Sequence, residues 1–145
     1  MKIERKAIET LKAWRNRKSH KPLILQGARQ VGKTWLLKEF GKSNFDDVAI
    51  FNFDENPELK QFFGSTKDVK RIIENLSLVH GKTIHPETTL IVFDEIQECN
   101  DALNTLKYFC EDAPEYYIAC AGSLLGVAMS LGASFPVGKV DFLNI

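Results

Sequence analysis

The chain lacks an excess of either charge. Nineteen Lys and Arg stand against nineteen Asp and Glu over 145 residues, a formal net charge of zero. That disfavours a dedicated nucleic-acid binder held by a large electrostatic term, while leaving room for a local patch. Cysteine is scarce too: Cys99, Cys110 and Cys120 form no CxxC pair, and an odd count makes no disulfide framework. Neither they nor the scattered His20, His80 and His85 have the spacing of a zinc site. No apolar run approaches the length of a membrane span, and Met1 to Lys21 is too charged throughout for a signal peptide, so the expected location is cytoplasmic. Arginine stops early, with none after Arg71.

What is present is an ordinary globular composition, 44% hydrophobic and 26% charged, in a length that suits one domain. Within it, Gly27-Ala28-Arg29-Gln30-Val31-Gly32-Lys33-Thr34 matches the phosphate-binding loop pattern GxxxxGK followed by Ser or Thr. A loop wrapped around a phosphate chain must aim several backbone N–H groups inward, and Gly27 and Gly32 permit the tight bends this requires. Lys33 would reach the β- and γ-phosphates, and Thr34 would set its hydroxyl on Mg²⁺. The helix opening there adds its positive dipole end. The flanks fit this reading. Pro22 to Gln26 is a short strand-like run, and Leu36, Leu37 and Phe40 recur at helical spacing after Trp35. The expected nucleotide-binding residues are therefore Gly27 through Trp35.

Elsewhere the pattern alternates between helix and strand. Ile3 to Lys18 carries Ile3, Ala7, Ile8, Leu11 and Trp14 on one stripe and reads as a packing helix. The cations Arg15, Arg17, Lys18 and Lys21 at its end are read as last-turn charges that complement the helix dipole, in preference to a binding patch. Gly41 is expected to close the helix after the loop. Val48 to Phe53 predicts a second strand, ended by Asp54-Glu55-Asn56-Pro57; those two acids are read as turn residues before site residues. Helices are expected at Glu58 to Phe63, at Lys67 to His80, and at Ala102 to Glu111 with Asn100 or Asp101 as cap. A further strand is expected at Tyr116 to Ala121, a helix at Leu124 to Ser130 and a fifth strand at Val140 to Ile145.

Leu90-Ile91-Val92-Phe93 is an unbroken apolar run ending in Asp94-Glu95. A strand buried on both faces needs such a run, and two carboxylates at its end are costly unless they meet cations or water. In P-loop enzymes an aspartate so placed holds Mg²⁺, and an adjacent glutamate can activate the attacking water. The competing reading is a helix-capping acid with an acidic neighbour. Ser123, at the end of the next strand, would either meet the γ-phosphate or cap the following helix.

Strands alternating with helices around apolar strand interiors predict an α/β fold, a parallel sheet between helices. With GARQVGKT, the strand ending LIVFDEIQ at Gln97, and Ala121-Gly122-Ser123, the chain resembles AAA-type ATPases of bacteria and archaea. Within these it is similar to the group whose ATPase domain precedes a C-terminal domain of poorly understood function. The resemblance implies a P-loop sheet of order 5-1-4-3-2, with Lys33 and Thr34 on phosphate and Mg²⁺, Asp94 completing the metal site, Glu95 as catalytic base, and Ser123 at the sensor position. It also implies Arg5 over the purine base of the nucleotide. Residues 1–145 are then an ATPase core that ends before a helical lid and the C-terminal domain. Many relatives carry Gly-Arg where this chain has Gly138-Lys139, which leaves Lys139 as a substitute for an arginine finger.

The function expected from these residues is binding of Mg-ATP and its slow hydrolysis, faster when a partner protein, a second copy or the rest of a longer chain completes the site. The alternative is a nucleotide-controlled switch or scaffold, in which ATP against ADP alters a protein interface. A nucleic-acid motor or loader is weaker, given the neutral charge.

Overall fold

The computed structural model describes residues 2–26, 32–122 and 137–144. The expected loop residues Gly27 to Val31, Ser123 and the helix expected at 124–130 lie outside the described residues. Helix α1 spans Lys2–Asn16, β1 Leu23–Gln26, α2 Lys33–Asn44 and β2 Asp47–Asn52. A 3-10 turn at Pro57–Leu59 leads into α3, Lys60–Gly64, and then α4, Val69–His80. Strand β3 is Thr89–Asp94, α5 Asn100–Asp112, β4 Tyr117–Cys120 and β5 Asp141–Asn144.

All neighbouring strands run parallel, in the order β2-β3-β4-β1-β5, which is the expected 5-1-4-3-2 read from the other edge. Because strand side chains alternate, each strand feeds two cores. Ile24, Phe51, Ile91, Phe93, Ile118 and Cys120 face α3, α4 and α5, meeting Phe63, Ile72, Leu76, Leu106 and Phe109. Leu23, Leu25, Leu90, Val92 and Ala119 face α1 and α2, meeting Leu11, Trp14, Leu37 and Phe40. Strand β3 is buried on both faces along its first five residues, and only Asp94 emerges. That accounts for its uninterrupted apolar sequence.

Local departures from expectation have physical causes. Gly41 does not end α2, which continues to Asn44. It is glycine because the helix presses on the sheet there: a Cβ would overlap the Val48 side chain and lie 3.1 Å from Leu90 Cδ2. Neither Asn100 nor Asp101 caps α5; both lie inside it, Cys99 holds the N-cap position, and no side chain makes a cap hydrogen bond. Asp68 does cap α4, accepting from the Lys70 amide at 3.1 Å. Phe53 lies beyond β2, whose last residue is Asn52.

Three of the four cations at the end of α1 and just after it have tertiary partners. The Arg15 guanidinium stacks over Phe45 at 4.4 Å, Arg17 pairs with Asp141 at 3.2 Å, and Lys21 donates to the Gly138 carbonyl at 2.9 Å. Arg15 thus ties α1 to the connection between α2 and β2, and Arg17 and Lys21 tie the segment after α1 to the start of β5, so the role of these three extends beyond the helix dipole.

Candidate nucleotide site at the carboxyl ends of the strands

In a parallel sheet the carboxyl ends of all strands lie along one rim, where loops and helix starts converge. Lys33 and Gly122 follow β1 and β4, and Asp94 ends β3; these three strands are neighbours in the order β3-β4-β1. The rim therefore gathers residues far apart in sequence.

Helix α2 begins at Lys33 behind Gly32, which takes the left-handed conformation at φ 67°. Its carbonyl accepts the Leu36 amide at 2.8 Å, closing the first helical turn. Lys33 and Thr34 are half-buried in that turn, and Trp35 is 51% exposed beside them. The Lys33 ammonium crosses to β4, donating to the Gly122 carbonyl at 3.3 Å.

Asp94 is fixed at the end of β3 by its neighbours on the rim. Its Oδ1 accepts the Glu95 amide at 3.0 Å and its Oδ2 accepts the Asn52 side-chain amide at 3.3 Å. The backbone locks the same point, with Phe53 N donating to the Asp94 carbonyl at 3.1 Å and Ala121 N to the Phe93 carbonyl at 2.9 Å. Glu95 then turns into the left-handed region at φ 53°, uncommon for a residue with a Cβ. Its Oε2 accepts the Gln97 side-chain amide at 3.1 Å. Carboxylate oxygens, a hydroxyl and an ammonium beside a helix N-terminus form a donor set suited to a divalent cation and a phosphate chain.

Asn52 and Gln97 were not legible as site residues, and neither was the Gly122 carbonyl. Asn52 lies opposite Asp94 in the β2–β3 register, a relation visible only once the strands are paired. Its Oδ1 accepts the amides of Asp54 at 2.9 Å and Glu55 at 2.8 Å, so those two acids stand in the turn that the sequence favoured for them. Lys139 is not brought to the site: it pairs with Glu111 at 3.8 Å, just before the start of β5, at the opposite end of the sheet. Arg5 lines a groove of about 450 Å³ between α1 and α2, together with Trp35, Glu39 and Ser43.

The sheet order and the junction of β1 with α2 define a P-loop α/β domain. The AAA domain family model matches residues 19–145, and the chain belongs to that family. Among solved structures, the Walker-type ATPase PABY2304 of Pyrococcus abyssi is similar over 97% of this chain and 52% of its own, with TM-score 0.63 at 17% identity. C. elegans PCH-2 is similar over 98% of this chain and 41% of its own, with TM-score 0.54 at 13% identity. The chain thus spans about half the length of the structures it matches. A comparison with curated protein sequences finds no match. The chain is an ATP-binding domain of the AAA-like type, the class that carries ATPase activity. Among the described residues, no helix is long and apolar enough to cross a membrane.

Proposed function

We propose that this chain binds Mg-ATP on the loop from Gly27 to Trp35 and hydrolyses it with Glu95 as base. The observation that supports the reading is the contact of Lys33 with Gly122 after β4, beside the strand β3 that ends in Asp94. Lys33 and the start of α2 take the β- and γ-phosphates. Thr34 and Asp94 hold Mg²⁺, which supplies charge neutralisation at the phosphates when bound. Glu95 accepts the proton of the attacking water, and Ser123 contacts the γ-phosphate. In this reading the adenine ring lies toward the groove that Arg5 and Trp35 line.

Residues 1–145 act in this reading as the ATPase core. A transition state with charge spread over the γ-phosphoryl oxygens calls for an arginine, worth on the order of a thousandfold or more. No arginine follows Arg71, and Lys139 is engaged elsewhere. Turnover is accordingly slow until a neighbouring copy, a protein partner or a following domain supplies that charge.

The test is calorimetric titration of ATP, ADP and GTP with Mg²⁺ into the chain and into Lys33→Ala, with phosphate release measured for wild type and Glu95→Gln. Adenine nucleotide binding that vanishes in Lys33→Ala, and slow turnover that vanishes in Glu95→Gln while ATP is still held, are expected. Unchanged phosphate release in Glu95→Gln would remove that residue from the mechanism.

A further inference from the structure

Gln97 makes one favourable polar contact and suffers one unfavourable one. Its Nε2 donates to Glu95 Oε2 at 3.1 Å, while its Oε1 is buried without a hydrogen-bond partner among the described residues. That oxygen is packed against Gly122, where a Cβ would collide with the amide carbonyl and lie 3.2 Å from Gln97 Cδ and 3.4 Å from the Ile96 amide nitrogen. The Ile96 amide in turn donates to the Ala121 carbonyl at 3.2 Å, which pins the turn carrying Gln97 to the end of β4.

A methionine of similar length would fill the same space without burying an unpaired carbonyl, so packing alone does not account for glutamine here. Beside it, Glu95 holds a left-handed backbone conformation that also costs energy. Two unfavourable features in adjacent groups converge on one outcome, the placement of the Glu95 carboxylate.

We propose that Gln97 is a positioning residue for Glu95: its amide N–H fixes one carboxylate oxygen, and the Gly122 backbone holds the amide in place. The inference rests on the proposed role of Glu95 as base. A carboxylate that takes a proton from water must present an oxygen at a set distance and angle, and fixing Oε2 removes rotation about the last side-chain bond. Gly122 is then glycine because any larger residue displaces the amide. Its carbonyl receives Lys33, so the amide that holds Glu95 and the phosphate lysine are both registered against Gly122, just after β4.

The experiment compares wild type, Gln97→Met, Glu95→Gln and their double variant in the full chain. It reads the concentration dependence of phosphate release from Mg-ATP, ADP affinity and melting temperature. Gln97→Met is expected to lower kcat by about tenfold to a hundredfold, the range for groups that orient a reacting partner. KM and ADP affinity stay within about twofold, since no ground-state contact to nucleotide is lost. The melting temperature stays level or rises, because a buried unpaired oxygen is gone. In Glu95→Gln the second substitution adds no further loss. Unchanged kcat in Gln97→Met overturns the proposal, as does a parallel fall of kcat and melting temperature, which is the signature of packing. A wild-type chain without Glu95-dependent phosphate release overturns the proposed function and this inference with it.

Discussion

The Lys33 ammonium donates to the Gly122 carbonyl at 3.3 Å, bridging the first turn of α2 and the end of β4. The contact is half-buried and single, so its net worth to the fold is small, on the order of 1 kcal/mol. Lys33→Ala is therefore expected to fold with nearly wild-type stability while losing nucleotide. The measurement is thermal melting with and without Mg-ATP. At about a hundred times Kd, ligand stabilises by about 2.7 kcal/mol, which for a domain of this size raises the melting temperature by roughly 5–10 °C. Wild type is expected to show that rise and Lys33→Ala to show none. An equal rise in both would place the phosphates away from Lys33.

Gly41 tests the packing of α2 on the sheet. An alanine inside a helix ordinarily gains about 1 kcal/mol over glycine. Here the added methyl meets Val48 and Leu90, and overpacking of this kind costs about 1–3 kcal/mol. Gly41→Ala is expected to be net destabilising in chemical denaturation, and Val48→Ala in the same chain to restore part of the loss. Stabilisation by the single substitution would show that the helix and sheet yield freely at this point.

Asp47 and His80 tie the start of β2 to the end of α4 at 2.7 Å. Partial burial raises the Asp47 carboxyl pKa, but the hydrogen bond and charge of His80, the Val48 amide and Lys82 outweigh it, and the net shift is below the ordinary 3.8. A carboxyl lowered in the folded state contributes stability that is full above its unfolded pKa and is lost as the pH falls through the folded value. Asp47→Asn is expected to flatten the acid limb of unfolding free energy below about pH 4, by under about 1 kcal/mol for a pair this exposed. Superimposable acid limbs in the two proteins would sink the assignment.

Cysteine reactivity reports which side of the sheet is sealed. Cys120 is fully buried on the central strand β4, and burial pushes its thiol pKa well above the ordinary 9.0. Cys99 is also buried and its thiol raised, first by burial, whereas Cys110 is half-buried on α5. A native chain is expected to take up one equivalent of alkylating reagent quickly, at Cys110, and the remainder only on unfolding, as read by mass spectrometry. Rapid native labelling of Cys120 would mean that β4 opens locally.

Much of this architecture was legible because the relevant signals are local. The apolar run of β3 requires two covered faces, Gly32-Lys33-Thr34 marks a strand-to-helix junction, and both appear where the sequence puts them. Boundaries failed where tertiary contact overrode local preference: Gly41 looks like a helix stop and is instead a close approach, and α5 begins without the cap that Asn100 or Asp101 offered. The support of the site was hidden for a different reason. Asn52, Gln97 and the Gly122 carbonyl act across strands, and only the register Asn52↔Asp94 and the folding of Ile96 onto Ala121 make them neighbours of the acids.

Asn52 separates support of the turn from support of the metal acid. Its Oδ1 accepts the Asp54 and Glu55 amides, at 2.9 and 2.8 Å, and its Nδ2 donates to Asp94 at 3.3 Å. Asn52→Asp keeps an acceptor for the two amides and replaces the donor with a second carboxylate facing Asp94. Asn52→Ala removes both functions. If Asp94 holds Mg²⁺ through the geometry that Asn52 maintains, Asn52→Ala weakens Mg²⁺-dependent nucleotide binding by about 10–100-fold, as loss of an outer-shell partner does. It also destabilises the fold by only about 0.5–1.5 kcal/mol, because the exposed Asp54 and Glu55 amides rehydrate when their partner is lost. Asn52→Asp is expected to retain most of the stability at neutral pH yet change the Mg²⁺ dependence, since two adjacent carboxylates repel each other until a cation joins them. Calorimetric titration of Mg²⁺ at fixed ATP, set beside urea unfolding of the same three proteins, distinguishes the two roles. Equal Mg²⁺ dependence in all three would confine Asn52 to the turn.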